Sequence, residues 1–264
     1  MRYPEPSGHI TLLTDFGLED HYVGVMKGVI ARIHPEARVT DICHEVQAYS
    51  ILQGAFMLAQ SCRYFPEGTV HVAVVDPGVG SAREAIVAHA AGQYFVAPDN
   101  GVLSYVFEES EPNVRALNVD RFALTPRSNT FHGRDVFAPA AAWLSKNRTF
   151  ADMGTQLDEW VALDPPSKPL EGGGWAGHVL NIDRFGNIVT GFTPDQWSDD
   201  AEMSVGGLTI RLGEAHYGAA PAGEPFVIEG SAGYLEVSIR QQSAAAVAGV
   251  TIGDQVRLDI TTPA

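Results

Sequence analysis

The sequence predicts an α/β protein in which an N-terminal, mainly parallel sheet sandwiched by helices is followed by a smaller C-terminal β-barrel. Three observations carry this. Short apolar runs alternate with helix-period segments in the first part of the chain, a proline- and glycine-rich stretch interrupts the pattern, and closely spaced β-rich runs follow it. The implied organisation is an α/β domain over 1–164, a linker over 165–175 and a β-barrel domain over 176–264.

In chain order, His9 to Thr14 is strand-like, and Tyr22 to Ile33 has helical spacing before Pro35 stops it. The pattern then repeats, with a short strand over 38–42, a helix over 51–59 and a strand from Val70 to Val75. Such βαβ alternation implies parallel strands covered on both faces. Residues 85–89 and 93–97 add strands, and Phe137 to Leu144 reads as a helix. From Asp164 to Gly174 the composition changes to that of a linker. Beyond it, 177–183, 208–212, 225–229, 234–239 and 255–260 are short strands separated by glycine turns.

Composition excludes several classes. The 264 residues are 45% hydrophobic, enough to bury a large core. Seventeen basic against 32 acidic residues give a formal net charge of -15, which repels nucleic-acid backbones where no basic patch is concentrated. That acidity is most simply read as solubility or salt tolerance. Cys43 and Cys62 are too few for a disulfide framework and lack metal-ligand spacing, so no metal is expected. Residues 1–6 lack the apolar core and cleavage site of a targeting peptide, and no run is long enough to span a bilayer. The expected location is cytoplasmic, with no membrane partner.

The densest chemical signal is Val74-Val75-Asp76-Pro77-Gly78-Val79-Gly80-Ser81-Ala82-Arg83. Pro77 cannot donate to a ladder, so the chain leaves the sheet there and Asp76 stands at a strand end, where open α/β sheets keep their chemistry. Arg83 can reach back as a charge partner, and a capped loop with a surface ion pair is the plainer alternative. Asp15, in Thr14-Asp15-Phe16-Gly17, occupies the same kind of position and could grip the hydroxyls of a ribose; capping the helix that starts near His21 is its alternative. Asp99-Asn100-Gly101 has a turn signature, and a structural turn is the stronger reading there. Phe131-His132-Gly133-Arg134-Asp135 crowds an imidazole, a guanidinium and a carboxylate at a helix entrance, where His132 could hydrogen-bond a reacting water and Asp135 could balance the helix dipole. Around Phe185-Gly186, the segment 181–190 alternates polar side chains, as a β-bulge also would.

These segments, with Gly230-Ser231-Ala232-Gly233-Tyr234-Leu235, occur in an order that resembles the S-adenosyl-L-methionine hydroxide adenosyltransferase family, relatives of the fluorinating and chlorinating enzymes. The resemblance covers nearly the whole chain. It implies an enzyme that splits S-adenosyl-L-methionine into adenosine and L-methionine, water attacking the ribose C5′, with neither metal nor other cofactor. It also implies a homotrimer with sites between one subunit's N-terminal domain and its neighbour's C-terminal domain. Asp76, Arg83 and His132 match the family's catalytic set. Asp15 would hold the ribose hydroxyls, Asp183 the methionine ammonium, Asn187 the adenine edge and Ser231 the methionine carboxylate. Asn100, Phe131, Gly133 and Phe185 lie in the same motifs and are expected to line the substrate.

Halogenating relatives carry Tyr at the positions of Asp76 and His132, and the fluorinating ones a Ser at that of Gly133. A carboxylate beside the nucleophile repels a halide, so hydrolysis is the preferred reaction and chloride transfer the alternative within the family. A non-catalytic sensor of S-adenosylmethionine or adenosine is the alternative outside it, though such a protein does not need Asp76, Arg83 and His132. Gln47-Ala48-Tyr49-Ser50 stands where the family more often shows Pro-Pro-Phe-Asp, with Tyr49 still able to stack on the ligand. Ala232 replaces an Arg of the fluorinating relatives.

Overall fold

The structure is a computed structural model that describes residues 3–260. Its chain divides into two compact units, the first ending at Leu163 and the second beginning at Asp164. Each unit has its own sheet.

The first unit is built on seven strands: β1 (His9–Thr14), β2 (Arg38–Cys43), β3 (Val70–Val74), β4 (Ala85–Ala90), β5 (Gln93–Pro98), β6 (Asn113–Leu117) and β7 (Gly154–Leu157). They lie in the order β2-β1-β3-β5-β4-β6-β7. The first four in that order are parallel, and β4, β6 and β7 extend them by antiparallel pairing, so the sheet is mixed. The antiparallel step begins at β4 and β5, joined through Ala91 (φ 50°) and Gly92 (φ 74°). Two successive left-handed residues make the tight turn that reverses one strand onto the next. Here the chain turns back with no crossover helix, which is why the parallel pattern stops at β5.

Helices α1 (Tyr22–Ile33), α2 (Ile51–Cys62), α3 (Ser104–Phe107), α4 (Val119–Phe122) and α5 (Ala138–Asn147) cover the sheet. Alternation along the central strands sorts the two faces. Ile10, Leu12, Val70, Val72 and Val74 share one apolar cluster with Val23, Met26 and Ile30 of α1 and with the alanine-rich face of α5. On the opposite face Gly54 of α2 sits against Val75, where an added Cβ would stand 3.0 Å from that side chain. Ser50 caps α2 by accepting the Gln53 N–H. Before α5, residues Gly133–Phe137 form a single π-helical turn, so the helix expected from Phe137 is entered through a widened turn.

The second unit holds β8 (Ser167–Pro169), β9 (Trp175–Ile182), β10 (Ile188–Thr190), β11 (Ala201–Val205), β12 (Leu208–Ile210), β13 (Pro225–Glu229), β14 (Leu235–Ile239), β15 (Gln255–Ile260) and one short helix, α6 (Ala244–Ala248). Within the proline- and glycine-rich stretch, β8 pairs with the start of β9. The other strands follow the order β12-β11-β15-β9-β10-β14-β13. Every ladder is antiparallel, and β9 spends its first half on β15 and its second on β10. Across the remaining gap the Val227 N–H donates to the Leu212 carbonyl and the Glu214 N–H to the Val227 carbonyl, so the sheet curls into a nearly closed barrel. Inside it are Val179, Ile188, Phe192, Met203, Val237 and Leu258, all buried.

Beneath the first sheet lies one fully buried histidine. His71 Nε2 is 2.6 Å from Gln93 Oε1, and because the Gln93 amide donates to the Cys62 carbonyl, that oxygen accepts and Nε2 carries the proton. Nδ1 accepts the Thr11 hydroxyl at 2.7 Å, and Phe95 stacks on the ring. Burial lowers its pKa to about 4, with the Gln93 bond opposing. Between the ordinary value near 6.5 and about 4, the unfolded chain binds a proton that the folded chain refuses. Stability is therefore full above pH 6.5 and falls as pH drops through this window, by on the order of 3 kcal/mol at its foot. In urea titrations at stepped pH, His71→Leu is expected to flatten that decline while lowering stability at neutral pH; an unaltered slope would rule the ring out as its source.

Candidate active site

The fully buried strand β3 ends at Val74, and Asp76 follows two residues later. Pro77 to Ser81 then form a tight turn, with the Val79 N–H on the Asp76 carbonyl and the Ser81 N–H on the Gly78 carbonyl. Gly80 has φ 78°, and a Cβ there would collide with the Asn129 carbonyl oxygen, so no other residue fits. This turn brings Arg83 back over Asp76. Nε donates to Oδ1 at 2.9 Å and Nη2 to Oδ2, a bidentate pair whose side chains are only 10% and 4% exposed. Nη1 donates to the Glu84 carbonyl, and the guanidinium lies 5.2 Å over the Phe137 ring. The surface ion pair offered as the plainer reading is a buried one.

His132 joins from the entrance of the π-helical turn. Its Nδ1 lies 2.9 Å from Arg83 Nη2. A guanidinium only donates, so Nδ1 accepts, the ring is neutral, and Nε2 carries the proton. Burial lowers the His132 pKa, Arg83 and Arg127 lower it further, and Asp76 and Asp135 oppose them. Next to it Gly133 is tightly packed, and a Cβ there would press on Met26 Sδ and the Phe16 ring at 3.1 Å, so those side chains would have to give way. Phe131 is buried edge-on to Tyr22 and Phe16. Arg134 and Asp135 have a separate job: the pair is bidentate, and Asp135 also accepts the Ser128 N–H and gives its carbonyl to Leu124, which ties the preceding loop down. A polar cavity of about 510 Å³ reaches Arg83 and His132, lined also by Gly80, Asn118, Arg127 and Asn129.

Asp15 follows β1 and accepts the Tyr49 N–H on Oδ2 at 2.9 Å. Helix α1 has no side-chain cap, so the capping role open to Asp15 is not what it does. Burial raises its pKa, the Tyr49 N–H opposes, and the Asp76 charge adds a smaller push upward. Tyr49 holds φ 69° and is 73% exposed. Asn100 spends its amide locally, donating to the Val75 carbonyl at 2.8 Å and accepting the Val102 N–H, as a structural turn does.

The remaining predicted residues belong to the second unit. Asp183 Oδ1 accepts the N–H groups of Phe185 and Asn187, and Oδ2 accepts the Asn187 amide at 2.8 Å. This turn exposes the Phe185 ring by 78%. Asp183, Phe185 and Asn187 line a cavity of about 730 Å³ together with Tyr217 and residues 239–243. Tyr217 was not legible in the sequence; it is a lone aromatic in an irregular segment, fixed at the cavity by its bond to buried Glu236 and an edge contact with Phe226. Ser231 is exposed on the turn between β13 and β14 and is not in the lining of that cavity. No group of three or more His, Cys, Asp or Glu side chains able to hold a metal ion occurs among the described residues.

A strand-end carboxylate held by a buried arginine, with a neutral histidine on the same guanidinium, defines an α/β unit built for polar chemistry at the carboxyl edge of its sheet. The chain belongs to the S-adenosyl-L-methionine hydroxide adenosyltransferase family, whose N-terminal domain model matches residues 10–154 and whose C-terminal domain model matches 177–257. It is 38% identical to the (R)-S-adenosyl-L-methionine hydrolase of Thermus thermophilus over 94% of this chain and 98% of that one. It is also 38% identical to the hydrolase of the same name from Salinispora arenicola, over 94% and 97%. To the fluorinase of Actinopolyspora mzabensis it is 26% identical, over 94% and 96%. An uncharacterized conserved protein from Thermotoga maritima has a similar solved structure, with TM-score 0.85 and 37% identity over 95% of this chain and 99% of that one.

Removing one member of a buried pair leaves the other charge uncompensated. Arg83→Met is expected to cost on the order of 3–5 kcal/mol in urea unfolding, and Asp76→Asn added to it to recover part of the loss. Additive losses in the double variant would show that the pair is not coupled.

Proposed function

We propose that the protein hydrolyses S-adenosyl-L-methionine to adenosine and L-methionine, and that Asp76, Arg83 and His132 are its catalytic set. The observation that carries this reading is the buried Asp76–Arg83–His132 chain in a family whose 36–41% identical relatives are named (R)-S-adenosyl-L-methionine hydrolases. By the same relation the substrate is the (R) sulfonium.

The reaction is a nucleophilic substitution. A water oxygen forms a bond to C5′ as the C5′–S bond breaks, and its electron pair passes to sulfur, giving the neutral thioether of methionine. A sulfonium leaves without protonation, so the protein's tasks are to hold one water in line and to keep bulk solvent out. Water gains acidity as it attacks and must lose a proton. The ring of His132 offers Nε2–H and has its other nitrogen occupied by Arg83, so it donates to the water oxygen and orients it. In this reading Asp76 takes the proton, and Arg83 fixes the carboxylate and offsets its charge. Asp15 holds the ribose hydroxyls, with Tyr49, Asn100, Phe131 and Gly133 around the nucleoside. Asp183, Phe185, Asn187 and Ser231 serve the methionine and adenine ends. This reading carries a homotrimer with intersubunit sites, located in the cytoplasm; a trimer is checked by sedimentation equilibrium.

In oxygen-18 water the expected product is adenosine labelled at the 5′ oxygen. Intact bound substrate instead would mean a sensor, and 5′-chloro-5′-deoxyadenosine in chloride would mean a halogenase. Asp76→Ala and His132→Ala are expected to lower kcat by about a hundredfold or more, with substrate affinity much less affected. His132→Gln keeps an N–H donor without a titrating nitrogen and should retain more turnover than His132→Ala; equal loss would make His132 the base. Because burial and Arg83 hold the His132 pKa down, the active neutral ring persists as pH falls through 6.5. The kcat profile is therefore expected to stay level there and to drop only at lower pH.

A further inference from the structure

Two loops at the carboxyl edge of the first sheet are stitched together by a residue that the mechanism does not use. His44 follows β2, is 3% exposed, and sets Nδ1 2.9 Å from the hydroxyl of Thr14, the last residue of β1. That hydroxyl also accepts the Phe16 N–H at 3.2 Å, and the His44 carbonyl accepts the Gly17 N–H at 2.7 Å. Asp15 thus lies inside a turn held on both sides by one histidine. Its own carboxylate is held by Tyr49, five residues beyond His44 in the same loop. The loop is firm in turn: Gln47 donates its N–H to the Gln53 side chain, and Ser50 caps α2.

The outer end of His44 is tied as well. Nε2 lies 3.1 Å from Asp41 Oδ1, an ion-pair distance, and Lys27 of α1 donates to Asp41 Oδ2 at 2.6 Å. A carboxylate only accepts, so the Nε2 that faces Asp41 carries a proton and Nδ1 is left to take the Thr14 hydroxyl. The chain Lys27–Asp41–His44–Thr14 runs from the surface to the base of the Asp15 turn. Nothing in the reaction requires it, yet it places two polar side chains, Thr14 and His44, in the core where an apolar pair would pack without needing partners.

We propose that His44 is a positioning residue which, through Thr14, fixes the Asp15 turn for recognition of the substrate's ribose hydroxyls; this rests on the reading of Asp15 given above. Fixing a carboxylate before binding spares the cost of ordering it on binding, so the effect falls on affinity. The relay does not touch Asp76, Arg83 or His132, so the chemical step is spared.

The test is steady-state kinetics on the full-length protein with S-adenosyl-L-methionine and with its 2′-deoxyribose analogue. His44→Gln and Thr14→Val are expected to raise KM for S-adenosyl-L-methionine by about tenfold with kcat within about twofold, and Thr14→Ser to restore it. For the 2′-deoxy analogue, which keeps only the 3′ hydroxyl, the same variants should change KM by less. Asp15→Asn is the control: added to it, His44→Gln should have no further effect on KM. If Asp15→Asn alone leaves KM unchanged, the ribose role of Asp15 fails. If Asp15→Asn raises KM but His44→Gln and Thr14→Val do not, or if they lower kcat equally for both substrates, the relay is overturned. Thermal melting in the presence of adenosine gives the same comparison for a variant too unstable to assay at high temperature, a lost ligand-induced shift in Tm supporting the relay and a retained one opposing it.

Discussion

The structure of the first unit depends on one buried ion pair. Asp76 and Arg83 leave water at the end of the central strand, in a chain that carries an excess of 15 negative charges. Taking both ions out of water costs several kcal/mol each, and their attraction repays this only in good geometry with the remaining polar atoms satisfied. Those conditions explain the local sequence. Pro77 ends the ladder, Gly80 lets the loop pass against Asn129, and the arginine spends N–H groups of Nη1 and Nη2 on the Glu84 carbonyl and on His132 while its flat face rests on Phe137. The pair also decides the state of the histidine, because a guanidinium can be approached only by a lone pair.

Much of this was legible in the sequence because it is local. Arg83 lies seven positions after Asp76, and a strand end followed by a proline and two glycines suffices to fold one back on the other. His132 is 49 residues further on, and its place beside Arg83 follows from the π-helical turn and the Gly133–Phe16 contact, which no spacing rule yields. The same distinction governs the fold. The elements β1, α1, α2 and β3 stood out through long apolar periods, whereas Asn113–Leu117 and Ala201–Val205 are half-buried strands with polar alternate residues and made no clear run. The reversal between β4 and β5 was in principle readable as two strand-like runs separated by a short turn, but its first turn residue is Ala91, where asparagine or glycine would be the signal.

Two histidines of the first unit, His71 and His132, act as neutral rings. His71 and His132 both have one nitrogen fixed by a partner of known polarity, and burial disfavours the cation in both. Their consequences differ with location. Inside the core His71 serves only as a satisfied polar bridge between β1, β3 and β5. At the strand ends, the same neutrality leaves His132 a hydrogen-bond donor whose strength does not depend on a proton taken from solvent near neutral pH.

The charges around the proposed reaction centre then sum in an informative way. Asp76 and Arg83 cancel, His132 is neutral, and Asp15 remains as a carboxylate bonded to a backbone N–H, in no ion pair among the described residues. The uncompensated charge at Asp15 is negative, which suits a substrate that is a cation at the reacting sulfur, while exposed Arg127 brings the opposite charge to the His132 side. Two opposite unit charges about 4 Å apart attract by roughly 4 kcal/mol at an effective dielectric of 20, and like charges repel as much. A halide brought to the same place would meet Asp76 and Asp15 together, with Arg83 already engaged. In the proposed mechanism a neutral water escapes that repulsion, accepting from His132 and donating to Asp76. The carboxylate that makes the strand end expensive to bury is thus also what favours water over an anion as the nucleophile.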